Sequence, residues 1–197
     1  MSNISIRMAT VEDAEDILKI YNPYVLNSVI TFEYEEVSVE EFQGRISNVL
    51  STYPWLVCLI DNKIVGYAYC SPHRVRAAYS WDCECTVYLD PDYHRRGIGH
   101  GLYEALFRII KLQGYYNVYS LICVPNEGSV ALHKKLGFTE VGYYTNTAYK
   151  FGQWRHLSVM DKRLQDKFDK PASVKSIHQI DKNLIDKIIK DAALMIN

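Results

Sequence analysis

Residues 89 to 106, LDPDYHRRGIGHGLYEAL, place two arginines and three alternating glycines between an apolar run and a helical pattern. A glycine-rich passage from strand to helix leaves backbone N–H groups unpaired at the positive end of the helix dipole, a setting that favours phosphate oxygens. A nucleotide P-loop requires Gly-Lys-Ser/Thr, and neither Lys nor Ser/Thr follows Gly101. A dinucleotide fingerprint requires G-x-G-x-x-G after a first strand, whereas these glycines stand at 97, 99 and 101 in mid-chain. A plain tight turn is the structural alternative. Upstream, CECTVYL alternates, so Glu84, Thr86 and Tyr88 share one face of a strand and Cys83, Cys85, Val87 and Leu89 the other. A carboxylate suited to proton transfer thus precedes the loop, with a solvated strand glutamate as the alternative. Cys83 and Cys85 are expected in the core, because a two-residue repeat on a strand makes no complete metal site. Asn126 and Ser129 are N-capping types at the start of a later helix, and His133 lies one turn further on. Arg74 and Arg76 alternate in a loop with Pro and His, so both can point toward the Glu84 strand, or simply into water.

The elements that must hold these residues follow from periodicity and caps. Residues 4 to 9 alternate as a strand; Thr10 with Asp13 then caps a helix running to Asn27, and Ser38 with Glu41 caps a second that ends before Pro54. Trp55 to Ile60 and Ile64 to Cys70 flank Asp61-Asn62-Lys63 as an antiparallel hairpin. A strand over 83–89, a helix over 101–112, a strand over 116–124, a helix over 129–136 closed by Gly137, and strands near 139–149 and 155–163 complete the order βααβββαβαββ. Gln165 to Ser176, polar and broken by Pro171, is the linker candidate. Beyond it, Ile177, Ile180, Leu184, Ile188 and Met195 form one helical stripe suited to packing or dimerisation.

Composition narrows the function. At 197 residues and 48% apolar the chain can bury one sizeable core. A net charge of −1 argues against a general nucleic-acid binder, so any phosphate is held locally. The N-terminal MSNISIRMAT has no signal-peptide core and the run Trp55 to Ile60 is too short to span a bilayer, so no membrane role and a cytoplasmic location are expected. Five cysteines inside apolar strands fit reduced, buried thiols.

HRRGIG resembles the pyrophosphate loop, Arg/Gln-x-x-Gly-x-Gly/Ala, of GNAT-type acetyl-CoA-dependent N-acetyltransferases, with His94 where the first Arg or Gln falls. IYNPYV, TFEYE, SPHRVRAAYSWDCECTVYLDP, VPNEGSVALHKKLGF and YKFGQW extend the likeness over about residues 4 to 164, and are similar to the phosphinothricin and methionine sulfoximine acetyltransferase branch. The resemblance implies an α+β GNAT fold, with a mixed, mostly antiparallel sheet flanked by helices over 1–164 and a linker and amphipathic helix over 165–197. It implies acetyl-CoA as co-substrate and no metal. Arg95, Arg96, Gly97, Ile98, Gly99 and His100 would then hold pyrophosphate, Val87, Tyr88 and Leu89 the pantetheine arm and thioester oxygen, and Asn126 and Ser129 further parts of the cofactor. In that family Glu84 is the general base on the acceptor ammonium, and His133 stands where an acid protonates the leaving thiolate. Phe32, Glu33 and Tyr79 would wall the acceptor pocket, and Arg74 and Arg76 would face the acidic groups of the amino acid. The branch's Gly-x-Trp-x-Asp is altered, since GQWRH carries His156 at the Asp position. The implied activity is direct acetyl transfer to the α-amine of a small amino acid or analogue, in a homodimer. A protein N-terminal or lysine acetyltransferase and a non-catalytic CoA-binding sensor are the alternatives.

Overall fold

The computed structural model describes residues 3 to 167 and 169 to 197. Its seven strands are β1 (Ile4–Met8), β2 (Trp55–Ile60), β3 (Lys63–Pro72), β4 (Asp82–Leu89), β5 (Asn117–Val124), β6 (Thr139–Lys150) and β7 (Gln153–Arg163). They form one sheet in the order β1-β2-β3-β4-β5-β7-β6, antiparallel throughout except where β4 runs parallel to β5. Helices α1 (Ala14–Asn27) and α2 (Val39–Leu50) cover one face. Helices α3 (Ile98–Gln113), α4 (Glu127–Lys135) and α5 (Lys182–Ala193) cover the other. This is the expected α+β fold and element order.

Local chemistry places the boundaries. The Asp13 carboxylate accepts from Thr10 N at 2.8 Å and takes the Arg7 guanidinium through both oxygens at 2.6 and 2.7 Å, which fixes the turn into α1. Ser38 Oγ accepts from Glu41 N at 3.2 Å to start α2. Asp61 and Asn62, at φ 49° and 67°, make the tight turn between β2 and β3.

Alternation in β2, β3 and β4 then divides two cores. Trp55, Val57 and Tyr67 pack with Ile17, Tyr21, Phe42 and Ile46 beneath α1 and α2. Cys58, Cys70, Cys83 and Cys85 pack with Leu102, Leu106 and Ile109 on the α3 side, and all five thiols are buried and unbridged.

Two expectations change. The third helix starts at Ile98 and not at Gly101, because Gly97 turns the chain at φ 80° and the helix begins directly after it. Gly99 and Gly101 therefore lie inside the first turn. A Cβ on Gly99 would meet Leu132 at 3.1 Å, and one on Gly101 would meet Ile196 at 2.8 Å, so both are small to let neighbouring elements approach.

The tail stripe also shifts. Ile177 to Gln179 form a separate short turn before α5, which breaks the helical phase. The buried set is Ile177, Ile185, Ile188, Ile189, Ala192 and Ile196, while Leu184 and Met195 face solvent. These side chains join the α3-side core. Ala172 and Lys175, in the linker candidate, are pinned to the domain; Phe168, in the same stretch, lies outside the described residues. Lys175 N donates to Gln113 O at 2.7 Å, Gln113 Nε2 donates to Thr52 O at 2.7 Å and Lys175 O at 2.8 Å, and Trp81 Nε1 donates to Ala172 O at 2.7 Å.

Candidate active site

The parallel strands β4 and β5 pair only where Asp82 to Glu84 meet Asn117 to Tyr119. Beyond Glu84 they diverge, β4 staying with β3 as far as Leu89 and β5 with β7 as far as Val124. The backbone edges of residues 85–89 and 120–124 that face each other have no strand partner. A wedge opens there, ending toward the loop before α3.

In that loop Arg95 and Gly97 adopt φ 63° and 80°. No side chain caps α3, and its first i−4 bond is Gly101 N to Gly97 O at 2.9 Å, so the N–H groups of Ile98, Gly99 and His100 lie at an uncapped helix start. The exposed Arg95 and Arg96 flank it, with the Arg96 guanidinium 5.0 Å from the Tyr93 ring centroid. His94, at the departure from the family pattern, has its Nε2 3.3 Å from Tyr24 Oη, and Tyr24 in turn donates to Leu89 O at 2.7 Å. His94 thus ties the loop to α1. On the other side Asn197 N donates to Arg96 O at 3.0 Å.

Glu84 sits at the fork. Its Oε1 lies 2.9 Å from His73 Nδ1, and its side chain is 31% exposed. Burial raises its carboxyl above the ordinary glutamate range, against the downward pull of the His73 hydrogen bond and the charge of Arg74. The His73 ring lies flat on Tyr119 at 4.1 Å and meets Tyr79 edge-on at 6.3 Å. The Arg74 guanidinium stands 5.6 Å over the same Tyr79 ring. Arg76 is exposed and pairs with no carboxylate among the described residues, so only one of the two arginines reaches this cluster.

His133 is elsewhere. It is 2% exposed, packed edge-on against Tyr103 and Phe138 on the α3 side, whereas Glu84 faces the α1 and α2 side. Its Nδ1 lies 2.8 Å from Ser129 O. A carbonyl only accepts, so Nδ1 carries the proton and the buried, unpartnered Nε2 carries a lone pair. Burial also lowers its pKa. Asn126 caps α4 by accepting from Ser129 N at 3.1 Å.

On the α1 and α2 side, the segment between those helices carries the half-buried Phe32 and Glu33. Glu33 pairs with Arg45 at 2.6 Å, and its other oxygen is buried without a partner. Lys150, at the end of β6 and 1% exposed, was not among the sequence-derived site residues. It donates to Val25 O at 2.7 Å and Thr31 O at 2.8 Å, and so fastens the Phe32 segment to the far end of the sheet. Tyr34 adds a hydrogen bond to Tyr149 O. The sole hint was Lys inside YKFGQW. His156 accepts from Asn146 N at 3.1 Å, a service to the β6–β7 hairpin.

The profile of the acetyltransferase (GNAT) domain matches residues 6–159. The chain belongs to the GNAT acetyltransferase family. It is 32% identical over 177 residues to phosphinothricin N-acetyltransferase of Streptomyces viridochromogenes, covering 90% of this chain and 94% of that protein. It is 31% identical over 162 residues to the L-methionine sulfoximine/L-methionine sulfone acetyltransferase of Pseudomonas aeruginosa, covering 81% and 94%. Among solved structures, a GNAT superfamily phosphinothricin acetyltransferase from Sinorhizobium meliloti in complex with acetyl-CoA superposes with a TM-score of 0.82 at 32% identity, over 86% of this chain and 93% of that one. This GNAT protein is an acetyl-CoA-dependent N-acetyltransferase. The open wedge and the uncapped, arginine-flanked start of α3 fit an extended pantetheine arm ending in a pyrophosphate. Among the described residues no helix is long and apolar enough to cross a membrane, and no group of three or more His, Cys, Asp or Glu could hold a metal.

Proposed function

We propose that this GNAT enzyme acetylates the α-amine of a small amino acid or amino-acid analogue, of the phosphinothricin or methionine sulfoximine type, by direct transfer in a ternary complex. The observation that carries the proposal is the position of Glu84: a half-buried carboxylate at the fork of the wedge, on the face that α1 and α2 cover. Acetyl-CoA would lie along Val87, Tyr88 and Leu89 with its pyrophosphate on residues 95–100. The acceptor would enter from the other face, with Arg74 near its acidic group and Phe32 and Tyr79 against its body.

Glu84 removes one proton from the ammonium, directly or through water, and later releases it to solvent. The freed amine attacks the thioester carbon, a C–N bond forms, and backbone N–H groups in the wedge stabilise the oxyanion. The C–S bond then breaks, and the second amine proton ends on the thiolate. A protein nucleophile is not needed, and the five cysteines are buried in the sheet. His133 serves as donor to the thiolate only in its imidazolium form, which its burial disfavours.

The β6–β7 hairpin exposes Val141, Tyr143, Tyr144, Tyr149, Phe151 and Trp154, an apolar edge that supports a homodimer through this hairpin. Sedimentation velocity checks it: a monomer at micromolar concentration rejects the dimer.

Thiol release from acetyl-CoA against phosphinothricin, methionine sulfoximine, the common amino acids and a set of short peptides tests the acceptor. Turnover is expected with free amino acids or the two analogues. Turnover with peptides alone overturns the proposal.

A further inference from the structure

The fork of the wedge contains one side chain that the acetyl-transfer chemistry above leaves without a task. His73 follows the last residue of β3, its imidazole clamped flat on Tyr119 and its Nδ1 2.9 Å from Glu84 Oε1. Tyr119 is the strand neighbour of Glu84 across β4 and β5, so the clamp and the carboxylate share one register position. The imidazole is 13% exposed and cannot swing away without losing that stack. Glu84 Oε2, by contrast, has no partner among the described residues.

On the reading of Glu84 as base, we propose that His73 is its positioning residue: it donates Nδ1–H to Oε1 and leaves Oε2 as the oxygen that takes the proton from the acceptor ammonium. One N–H bond of the ammonium breaks, one O–H bond forms at Oε2, and solvent later receives that proton.

The donor matters because a hydrogen bond to a carboxylate favours its ionised form. Glu84 is lifted by burial, and a base that is protonated at working pH is silent. The groups facing the pair are few. Arg74 and Tyr79 come from the loop after β3, Ser71 and Cys85 from β3 and β4, and Tyr119 from β5, with Asp82 and Asp161 acting on Tyr119. Arg74 is the sole cation among them and is exposed, so His73 is the main short-range support for the ionised base.

Two substitutions separate this duty from packing. His73→Phe keeps a flat ring on Tyr119 but has no N–H. His73→Asn loses most of the stack but returns an amide N–H where Nδ1 stood. In the phenylalanine variant the acid limb of kcat/KM should move up by about one pH unit. Its kcat at neutral pH should fall about tenfold, with the acetyl-CoA Kd unchanged. The asparagine variant should bring the limb back toward that of the parent enzyme. An unmoved limb in His73→Phe, or an equal loss in both variants with unmoved limbs, overturns the positioning role. Glu84→Gln is measured alongside. If it abolishes turnover while His73→Phe behaves as parent, only the role of His73 fails; if it keeps full rate, the base assignment fails and this proposal with it.

Discussion

The two halves of the proposed site are built from different material. The cofactor half is backbone: two diverging strand edges, a loop with two left-handed residues and an uncapped helix start. The proposed acceptor half is side chain, gathered from six places: the segment after α1, the end of β3, the turn at Tyr79, β4, β5 and the end of β6. Backbone recognition tolerates most substitutions that preserve the path of the chain. Side-chain recognition changes with each residue. On the proposed reading, one half can bind the cofactor whatever the amine, and the other selects the amine.

The difference can be broken most severely from outside either half. Truncation after Lys167 removes five buried isoleucines from the α3-side core, each worth about 1.5–3 kcal/mol, and the methyl of Ala192. Loss of soluble, cooperatively melting protein is expected, and a truncated chain that melts like the parent would show that α5 is only a lid on the surface. Glu84→Gln acts inside the acceptor half: kcat should fall by a factor on the order of 10² to 10⁴ with the acetyl-CoA Kd nearly unchanged. Its rate should recover partly at high pH, where the amine is already deprotonated in solution. Because burial raises the carboxyl pKa, the parent enzyme should lose activity on acidification at a pH above the ordinary glutamate range.

Smaller changes sharpen the contrast. Lys150→Met leaves Val25 O and Thr31 O without their donor, at about 1–3 kcal/mol for each carbonyl left unpaired. The acceptor KM should rise and the acetyl-CoA Kd should stay, since the Phe32 segment belongs to one half alone. An equal rise in both would show that the halves are coupled. His133→Phe keeps the ring packing against Tyr103 and Phe138 and should cost less than about tenfold in kcat at neutral pH, where the buried imidazole is already neutral. A hundredfold loss that disappears with a more acidic thiol leaving group would assign it the proton to the thiolate.

The same contrast explains what was legible in the sequence. Element order follows from caps and alternation, which are local, and the cofactor loop follows from glycine spacing, also local. Glu84 could be placed on its face because a strand alternates. His73 and Lys150 could not be singled out, since one needs Tyr119 from a distant strand beneath it and the other needs two carbonyls more than a hundred residues away in sequence. Gly99 and Gly101 carried the reverse error: they look like loop glycines, yet their hydrogens face Leu132 and Ile196 inside a helix contact. The tail misled for a related reason, because a break at Gln179 resets which residues point inward.

The bond from Asn197 N to Arg96 O has a practical side for anyone handling the protein. A purification tag or reporter fused after Asn197 would emerge beside the loop assigned to pyrophosphate, with its first residues next to Gly97 and the start of α3. A fusion at that end perturbs the half of the site that residue changes disturb least, so affinity measured on it describes the fusion. Ile4, in the edge strand β1, begins on the opposite margin of the sheet from the β6–β7 hairpin, and a leader peptide there leaves that hairpin uncovered.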